Sequence, residues 1–382
     1  MLIKKRIIIC LCVILTLWGL SAAAETNPKV MVNGNIIPTD AVLINGRTYV
    51  PLRGVFEAAG ASVEWDGETE TAIVNMNAAG AYDDNFLPNL IAKISPSVVG
   101  IIGKCRPEGA PKDYETIAHG SGIIIKTGGE ILTNAHVVKD MFLIFVVTSD
   151  GKSYEATLKY IDEDTDLAVI KINKIGLTVA PIAASGDIVV GRRVIAIGTP
   201  ITFSLRNSAT LGHITGLNRG VGSPYKLIQT DAAINPGNSG GALVNMSGEV
   251  IGITCSGYAG WGIQNTNFAI PVETINYALT HFNAYGKIRR ASLKAELKED
   301  WLAEMGVPTN SGLTIRSMTS ESPLQAAGFK RGDILMSISG KNTNSLVEMN
   351  EILKDYMPGD TVKIGVQSDG TILYAEIELA EK

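Results

Sequence analysis

The sequence has few cysteines and no excess of basic residues, and each of these two shortages excludes a class of protein. Two of its four cysteines, Cys10 and Cys12, lie in the first apolar stretch, which leaves Cys105 and Cys255 for the rest of the chain. Two cysteines cannot form a disulfide framework, so we expect two buried thiols, with a single disulfide as the alternative. The net charge of −5 argues against a nucleic-acid partner, because such proteins carry a basic stripe.

The composition indicates a chain that folds into more than one domain. With 46% apolar and 19% charged residues, it can bury a core, and its 382 residues suggest two or three domains at roughly 100–200 residues each. Its 40 glycines exceed the usual proportion of roughly 7%. From Ser97 to Pro271, short apolar segments alternate with turns rich in Gly, Asn and Asp. This pattern predicts a mainly β fold built as a sandwich or barrel.

The first 24 residues have the layout of a targeting segment. Lys4, Lys5 and Arg6 precede an apolar run of 14 residues, from Ile7 to Leu20, which is short for a membrane span of about 20. Three alanines at 22–24 then supply the small residues of a cleavage site. The sequence predicts a signal peptide over residues 1–24, whose removal would change the net charge from −5 to −8. An uncleaved membrane anchor is the alternative.

Residues 28–77 form a first small unit of α+β type, followed by a linker at 78–86. Turns at Asn33-Gly34 and Asn45-Gly46 separate short strands, and a helix begins after Pro51. The stretch VNGNIIPTDAVLINGRTYVPLRGVFEAAGASVEWDGETETAIV resembles the copper amine oxidase N-terminal-like domain of exported bacterial proteins. Because residues 28–76 contain no His and no Cys, the resemblance implies no copper site. We expect an accessory module that contacts the cell wall, or a plain spacer.

A serine in a glycine-rich turn is the strongest chemical signal. Residues 237–241 read GNSGG, and the flanking glycines permit a tight turn that exposes Ser239 and directs backbone N–H groups at a developing oxyanion. The α/β-hydrolase order of serine, acid, histidine is disfavoured, because only His281 follows Ser239. In the opposite order, His136 follows a strand and Asp166 directly precedes the apolar run 167–170. These three residues predict a Ser-His-Asp triad.

Four motifs then identify a family resemblance over residues 87–285. GSGIII at 120–125, TNAHVV at 133–138, DTDLAVIKI at 164–172 and QTDAAINPGNSGGALVNMSGEVIGI at 229–253 resemble the trypsin-like serine proteases of the HtrA/Deg group. The resemblance implies a chymotrypsin-like double six-stranded β-barrel with His136, Asp166 and Ser239 between the barrels. It assigns the oxyanion hole to Gly237, Asn238 and Ser239, with the Gly237 and Ser239 N–H groups as donors. It implies no cofactor and no metal.

The resemblance also suggests specificity and regulatory residues. Trypsins that cut after Lys or Arg have an acid six residues before the nucleophile, where this chain has Ala233. We expect Ile234, Asn267, Phe268 and Ala269 to line a pocket for a small or medium apolar side chain, with core packing as the alternative for Ile234. Asn267 replaces a glycine that is usual in the family and could narrow or polarise the pocket. Arg219 aligns with an activation-loop arginine, and a surface arginine is the alternative.

Residues 287–382 resemble a bacterial PDZ domain. The resemblance rests on SPLQAAGF at 322–329, GDIL at 332–335 and ISG at 338–340. Such domains add a peptide strand to a sheet edge and hold its C-terminal carboxylate with backbone N–H groups. The matching carboxylate loop is Ser292, Leu293, Lys294 and Ala295. Lys294 replaces the family glycine and could obstruct peptide capture, so a lid or spacer role is the alternative.

These features together predict an exported, ATP-independent serine endopeptidase. Its expected substrates are unfolded, partly folded or signalling proteins, and its expected assembly is the homotrimer typical of HtrA-type enzymes. Peptide C-termini are expected partners of the PDZ domain. The expected location is extracytoplasmic: secreted, at the cell surface, or anchored through an uncleaved signal. A chaperone or a cell-wall-binding scaffold with latent proteolytic activity is the alternative function.

Overall fold

The computed structural model describes residues 28–32, 35–75, 85–106, 109, 111, 114–184, 188–255 and 265–382. The predicted signal peptide, the Asn33-Gly34 turn and most of the predicted linker lie outside these residues. The chain divides into two compact units, residues 1–86 and 87–382. No helix in the described ranges is both long enough and apolar enough to cross a membrane.

The described residues of the first unit form three β-hairpins and one helix. Asn45 and Gly46 both have positive φ angles, 49° and 74°, as the predicted two-residue hairpin turn requires. Only Ala41, Ala61 and Val63 are buried apolar residues in this described unit. Its elements are β1 (Val30–Val32), β2 (Asn35–Ile37), β3 (Val42–Ile44), β4 (Arg47–Tyr49), α1 (Leu52–Ala58), β5 (Ser62–Asp66) and β6 (Thr71–Asn75).

A closed six-stranded barrel begins the second unit, after α2 (Phe86–Ile94). Its strand order is β10-β11-β12-β9-β8-β7. The short helix α3 lies between β9 and β10 and was not predicted. The predicted strand 167–172 has the same bounds in the structure, and five of its six residues are buried. The elements are β7 (Val98–Cys105), β8 (Thr116–Lys126), β9 (Glu130–Thr133), α3 (Ala135–Val138), β10 (Met141–Val147), β11 (Ser153–Asp162) and β12 (Leu167–Ile172).

A second closed barrel follows, with the strand order β13-β14-β15-β18-β17-β16. Every neighbouring pair of strands in both barrels is antiparallel. The two barrels and the PDZ-like domain described below confirm the mainly β double-barrel fold that the sequence predicts. The elements are β13 (Arg193–Gly198), β14 (Ser208–Arg219), β15 (Leu227–Thr230), β16 (Ala242–Asn245), β17 (Val250–Cys255), β18 (Asn267–Pro271) and α4 (Val272–Tyr285).

The C-terminal part of the second unit has its own sheet, in the order β20-β21-β22-β24-β25. Its apolar residues form a core cluster distinct from those of the barrels. The Ser345 hydroxyl caps α7 by accepting a hydrogen bond from the Glu348 N–H at 3.1 Å. The elements are β19 (Ala291–Ser292), β20 (Ala295–Lys298), α5 (Trp301–Glu304), β21 (Leu313–Met318), α6 (Pro323–Ala326), β22 (Ile334–Ile338), β23 (Lys341–Asn342), α7 (Leu346–Leu353), β24 (Thr361–Ser368), β25 (Thr371–Glu378) and β26 (Ala380–Glu381).

A buried ion pair connects this C-terminal sheet to the first barrel. The Arg290 guanidinium makes a bidentate contact with the Asp162 carboxylate, and its Nε donates to the Tyr225 hydroxyl at 2.9 Å. On α7, the Asn350 amide donates to the Pro224 carbonyl at 3.0 Å. These contacts hold the C-terminal sheet against the barrels within the compact unit of residues 87–382.

Candidate active site

The structure brings His136 and Asp166 together at the edge of the first barrel. His136 lies on α3, and its Nδ1 is 2.8 Å from Asp166 Oδ2 and 3.0 Å from Oδ1. The backbone N–H of His136 also donates to Asp166 Oδ1, at 2.9 Å. A carboxylate that accepts from both the ring and the backbone of one histidine fixes the tautomer and the ring orientation. The remaining ring nitrogen, Nε2, is the one that can exchange a proton.

The backbone of Asp166 is held as firmly as its side chain. Its φ angle of +53° lies in the left-handed region, which aspartate tolerates better than most residues. Its carbonyl accepts hydrogen bonds from the Ala135 N–H at 3.1 Å and from the Asn134 side-chain amide at 3.0 Å. Asn134 therefore helps to join the acid to the base, a role that sequence reasoning missed although Asn134 lies inside the TNAHVV motif.

The Ser239 turn depends on two glycines. Gly237 has a φ angle of +99°, and a Cβ at this position would lie 2.4 Å from the Thr199 carbonyl oxygen. Gly240 has a φ angle of +85°, and its Cβ would lie 2.1 Å from the Ser121 carbonyl oxygen. No other residue fits these positions without moving the backbone. The sequence predicted these glycines for a tight turn around the serine. The structure adds a second reason, because neighbouring backbone approaches both glycines too closely for a side chain.

Four consecutive carbonyl groups of this turn, from residue 236 to residue 239, accept hydrogen bonds. Each bond orients a peptide plane, because the carbonyl of one residue and the N–H of the next point in opposite directions across a trans peptide. The donors and distances are Ile201 N–H to Pro236 at 2.8 Å, Ser121 Oγ to Gly237 at 2.8 Å, Thr254 Oγ1 to Asn238 at 2.6 Å and Ser121 N–H to Ser239 at 2.8 Å.

These bonds orient two amides of the predicted oxyanion hole. The Pro236 carbonyl points to Ile201, so the Gly237 N–H points away from it; the Asn238 carbonyl points to Thr254, so the Ser239 N–H points away in the same manner. Asn238, which the resemblance places in the hole without naming it as a donor, uses its backbone amide within the turn. That N–H donates to the Asn235 carbonyl at 2.9 Å and closes the turn.

Ser121, Ile201 and Thr254 were not predicted as site residues. Ser121 is fully buried, and its hydroxyl both donates to the Gly237 carbonyl and accepts from the Thr199 N–H at 2.8 Å. Of these three residues, only Ser121 could have been found from the sequence, since it is the serine of the GSGIII motif. Ile201 and Thr254 contribute through long-range contacts that have no local pattern.

A cavity of about 490 Å³ lies beside His136 and Asp166, and its apolar lining includes Leu227 and Phe268. The Cys255 thiol also lines it. Burial, together with the negative charge of Asp166, raises the pKa of that thiol to about 12. Cys255 is therefore protonated at neutral pH and unsuited to act as a nucleophile. Within the described ranges, both Cys105 and Cys255 are free thiols, as the sequence favoured.

Only some of the predicted specificity residues lie at the cavity beside His136 and Asp166. Phe268 lines the cavity, whereas Ile234 and Ala269 are buried in the apolar core of the second barrel, which was the alternative for Ile234. The Asn267 side chain crosses to the neighbouring segment and donates to the Ala232 carbonyl at 2.9 Å. It thereby links β18 to the segment that leads to Ser239.

Arg219, the predicted regulatory residue, lies at the end of β14. Its Nε donates to Gln229 Oε1 on β15 at 2.8 Å, and its guanidinium covers Gly216, where a Cβ would lie 2.5 Å from it. Arg219 is thus paired with its own sheet.

The predicted carboxylate loop of the PDZ-like domain borders a second cavity, of about 170 Å³. Ser292, Leu293 and Ala295 line this cavity. Lys294 adopts the left-handed φ of +48°, so a side chain is accommodated where the family has glycine. The Lys294 N–H already donates to Ser292 Oγ at 3.0 Å. The cations Arg290, Lys354 and Lys382 lie around the same cavity.

Two other histidines, His213 and His281, have partners outside the His136–Asp166 pair. His281 lies on α4, and its Nδ1 accepts a hydrogen bond from the Arg289 N–H at 3.1 Å. His213 pairs with Asp231. In the portion of the chain that the structure describes, no three His, Cys, Asp or Glu side chains are grouped so that they could hold a metal ion.

Three sequence profiles match the chain. The trypsin-like peptidase domain matches residues 120–253, the PDZ domain matches 296–379, and the copper amine oxidase N-terminal domain matches 31–80. The first match includes His136, Asp166 and Ser239. The three matched segments lie within the three regions for which the sequence showed a resemblance, except that the N-terminal match extends to residue 80.

The similar proteins are serine proteases. The chain is 39% identical over 296 residues to serine protease HTRA1 of Xenopus laevis, covering 72% of this chain and 62% of that protein. It is 32% identical over 333 residues to the serine protease Do-like HtrA of Bacillus subtilis, covering 78% and 74%. Among solved structures, the HtrA-type protease AlgW with a decapeptide is 27% identical with a TM-score of 0.65, covering 77% of this chain and 98% of that one.

Proposed function

The chain belongs to the HtrA family of trypsin-like serine endopeptidases, and on that premise we propose that it is an exported, ATP-independent protease that cleaves unfolded or signalling proteins. The observation that carries this proposal is the fixed pair of His136 and Asp166 together with the oriented amides around Ser239. The matched segment spans less than two thirds of the Xenopus relative. The activity, substrates and partners given below are therefore proposals that we argue from the residues of this chain.

In the proposed reaction, Ser239 Oγ attacks the carbonyl carbon of the peptide bond. His136 Nε2 takes the hydroxyl proton, and Asp166 accepts the Nδ1–H and stabilises the imidazolium. The Gly237 and Ser239 N–H groups donate to the oxyanion of the tetrahedral intermediate, where each such donor lowers the barrier by roughly 2.7–4 kcal/mol in comparable sites. The C–N bond then breaks as His136 protonates the leaving amine. Water hydrolyses the acyl-enzyme by the same steps.

The proposed specificity is for a small or medium apolar residue, such as Val, Ala or Leu, before the scissile bond. Ala233 offers no carboxylate to a Lys or Arg side chain. A peptide library that is cut mainly after Lys or Arg would overturn this part of the proposal.

The accessory domains define the proposed partners. The PDZ domain supports binding of peptide or protein C-termini. We assign an extracytoplasmic location because of the predicted signal segment, and we assign cell-wall contact to residues 28–77. We expect a homotrimer because HtrA-type enzymes are typically trimers. Analytical ultracentrifugation of the purified protein would test the trimer, and N-terminal mass spectrometry would distinguish cleavage after residue 24 from anchoring.

The central test is covalent labelling with a fluorophosphonate, together with digestion of casein. Wild type should label on Ser239 and degrade casein, while Ser239→Ala should do neither and Cys255→Ala should do both. If the wild type neither labels nor cuts, even with unfolded substrate and apolar C-terminal peptides present, the protease proposal fails. Suppression of substrate aggregation by both wild type and Ser239→Ala would then favour the chaperone or scaffold function.

A further inference from the structure

The loop of residues 199–206, between β13 and β14, is attached to the Ser239 turn. The Ile201 N–H donates to the Pro236 carbonyl at 2.8 Å, and the Thr199 N–H donates to Ser121 Oγ at 2.8 Å. The same groups orient the amides of the oxyanion hole. This loop therefore has a fixed position relative to Ser239. None of its residues lines the cavity beside His136 and Asp166.

The loop exposes large apolar side chains in strained backbone. Ile201 has a φ angle of +59°, which is unfavourable for a β-branched residue, yet 64% of it is exposed. Leu205, four residues later, is 42% exposed. Core packing does not explain an exposed isoleucine, and asparagine or glycine would adopt this backbone without strain. A requirement for an apolar surface on this loop explains why residue 201 is an isoleucine.

Two aromatic rings continue this surface to the oxyanion hole. Phe203 and His119 lie with ring centroids 6.2 Å apart, tilted by 58°. The His119 ring lies against Gly237, where a Cβ would be 2.5 Å from Nε2. That nitrogen is buried and has no hydrogen-bond partner among the described residues. Ile201, Leu205, Phe203 and His119 therefore form a mainly apolar wall, called here the exit wall, that reaches the Gly237 side of the turn.

We propose that the exit wall binds the substrate segment that follows the scissile bond and that it prefers an apolar side chain there. This inference rests on the proposed function. The residue before the bond is held on the side of Phe268 and Asn267. With its carbonyl oxygen at Gly237, the chain beyond the scissile bond has to continue past the opposite side of the turn. The polypeptide leaving Ser239 is thus the occupant that the position of the wall selects.

The test measures acyl transfer, which isolates binding on the leaving-group side. A valine ester acylates Ser239 with a leaving alcohol that makes no contact with the exit wall. Added dipeptide amides, Leu-Leu-NH₂ or Gly-Gly-NH₂, then compete with water for the acyl-enzyme. In wild type we expect the transfer-to-hydrolysis ratio to be about tenfold higher for Leu-Leu-NH₂, since burial of one apolar side chain discriminates by at least that factor. Because the ratio is internal to one acyl-enzyme, it does not depend on the acylation rate.

Variants assign the preference to the wall. Ile201→Asn keeps the backbone N–H and suits the left-handed φ, and Leu205→Ser removes the second side chain; each should reduce the preference to about threefold or less. Leu211→Ser, at a residue on β14 that is 49% exposed, is the matched control and should keep the tenfold preference. Equal ratios for both amides in wild type, or a preference retained in both wall variants, would overturn the inference while leaving the protease proposal intact. Absence of ester hydrolysis would overturn both.

Discussion

Ser121→Ala should separate the orientation of the oxyanion hole from the triad itself. The Ser121 hydroxyl is fully buried and makes two hydrogen bonds of 2.8 Å, from the Thr199 N–H and to the Gly237 carbonyl. Alanine removes both bonds and leaves both backbone groups buried without a partner. The peptide between Gly237 and Asn238 loses the contact that fixes its orientation, while His136 and Asp166 are untouched.

The expected magnitude follows from those two groups. A buried polar group left unsatisfied costs about 1–3 kcal/mol, so the free energy of unfolding should fall by about 2–6 kcal/mol. Loss of a whole oxyanion donor lowers kcat about 10²–10³-fold in comparable sites. Ser121 contacts neither donor directly but fixes the Gly237–Asn238 peptide that lies between the two donor peptides, so we expect kcat to fall about 10–100-fold. KM for a peptide ester should change little, because the oxyanion forms only in the transition state.

The assay pairs kinetics with urea unfolding and includes a matched control. Ser97 is also buried, and its hydroxyl donates to the Ile94 carbonyl at 2.7 Å in the segment that leads into the first barrel. Ser97→Ala should lose about 1–3 kcal/mol of stability yet keep kcat within about twofold, since it does not touch the Ser239 turn. A folded Ser121→Ala protein with wild-type kcat would refute the reasoning. An equal loss of kcat in Ser97→Ala would show that stability, and not orientation, controls the rate.

Three further predictions follow from buried or strained groups. Burial opposes ionisation of Asp162, but the hydrogen bonds and charge of Arg290 outweigh it and hold its pKa below the usual range; this stabilisation is present above about pH 4 and is lost as pH falls through the lowered pKa. Asp162→Asn should therefore cost about 3–5 kcal/mol in urea unfolding at pH 7, and an unchanged midpoint would contradict the ion pair's role. Because the pKa of the Cys255 thiol is about 12, iodoacetamide at pH 8 should label it more than about 100-fold more slowly in the native than in the unfolded protein, as mass spectrometry would measure. Gly240→Ala should abolish ester hydrolysis, whereas Gly286→Ala, also at positive φ but with open space around it, should retain activity; an active Gly240→Ala enzyme would disprove the steric argument.

Local patterns predicted much of the fold. The apolar run that directly follows Asp166 forms the strand β12, because five of the six side chains of this strand are buried. The hairpin turn at Asn45 and Gly46 was predicted because both residues tolerate positive φ. The helix α3 was missed, since four residues are too few to show helical periodicity.

Long-range contacts set the limit of sequence reasoning at the site. Ser121 and Gly237 are 116 residues apart, and nothing in either motif indicates that a hydroxyl in one orients a peptide in the other. Asn238 was assigned to the oxyanion hole from its position in the turn. Only the structure shows that its N–H is used to close the turn on Asn235.

Local residue patterns account for the components of the fold and the site: an apolar pattern for β-barrels, glycines at positions with positive φ, and one serine, one histidine and one aspartate in a catalytic order. These properties are local, because each depends on the chemistry of a residue and its nearest neighbours. The tertiary structure decided which amides face the substrate, that Arg290 joins the C-terminal domain to Asp162, and that Ile201 and His119 border the Ser239 turn. Each of these depends on groups far apart in the sequence that the fold brings together, and no local sequence pattern shows which distant groups will meet.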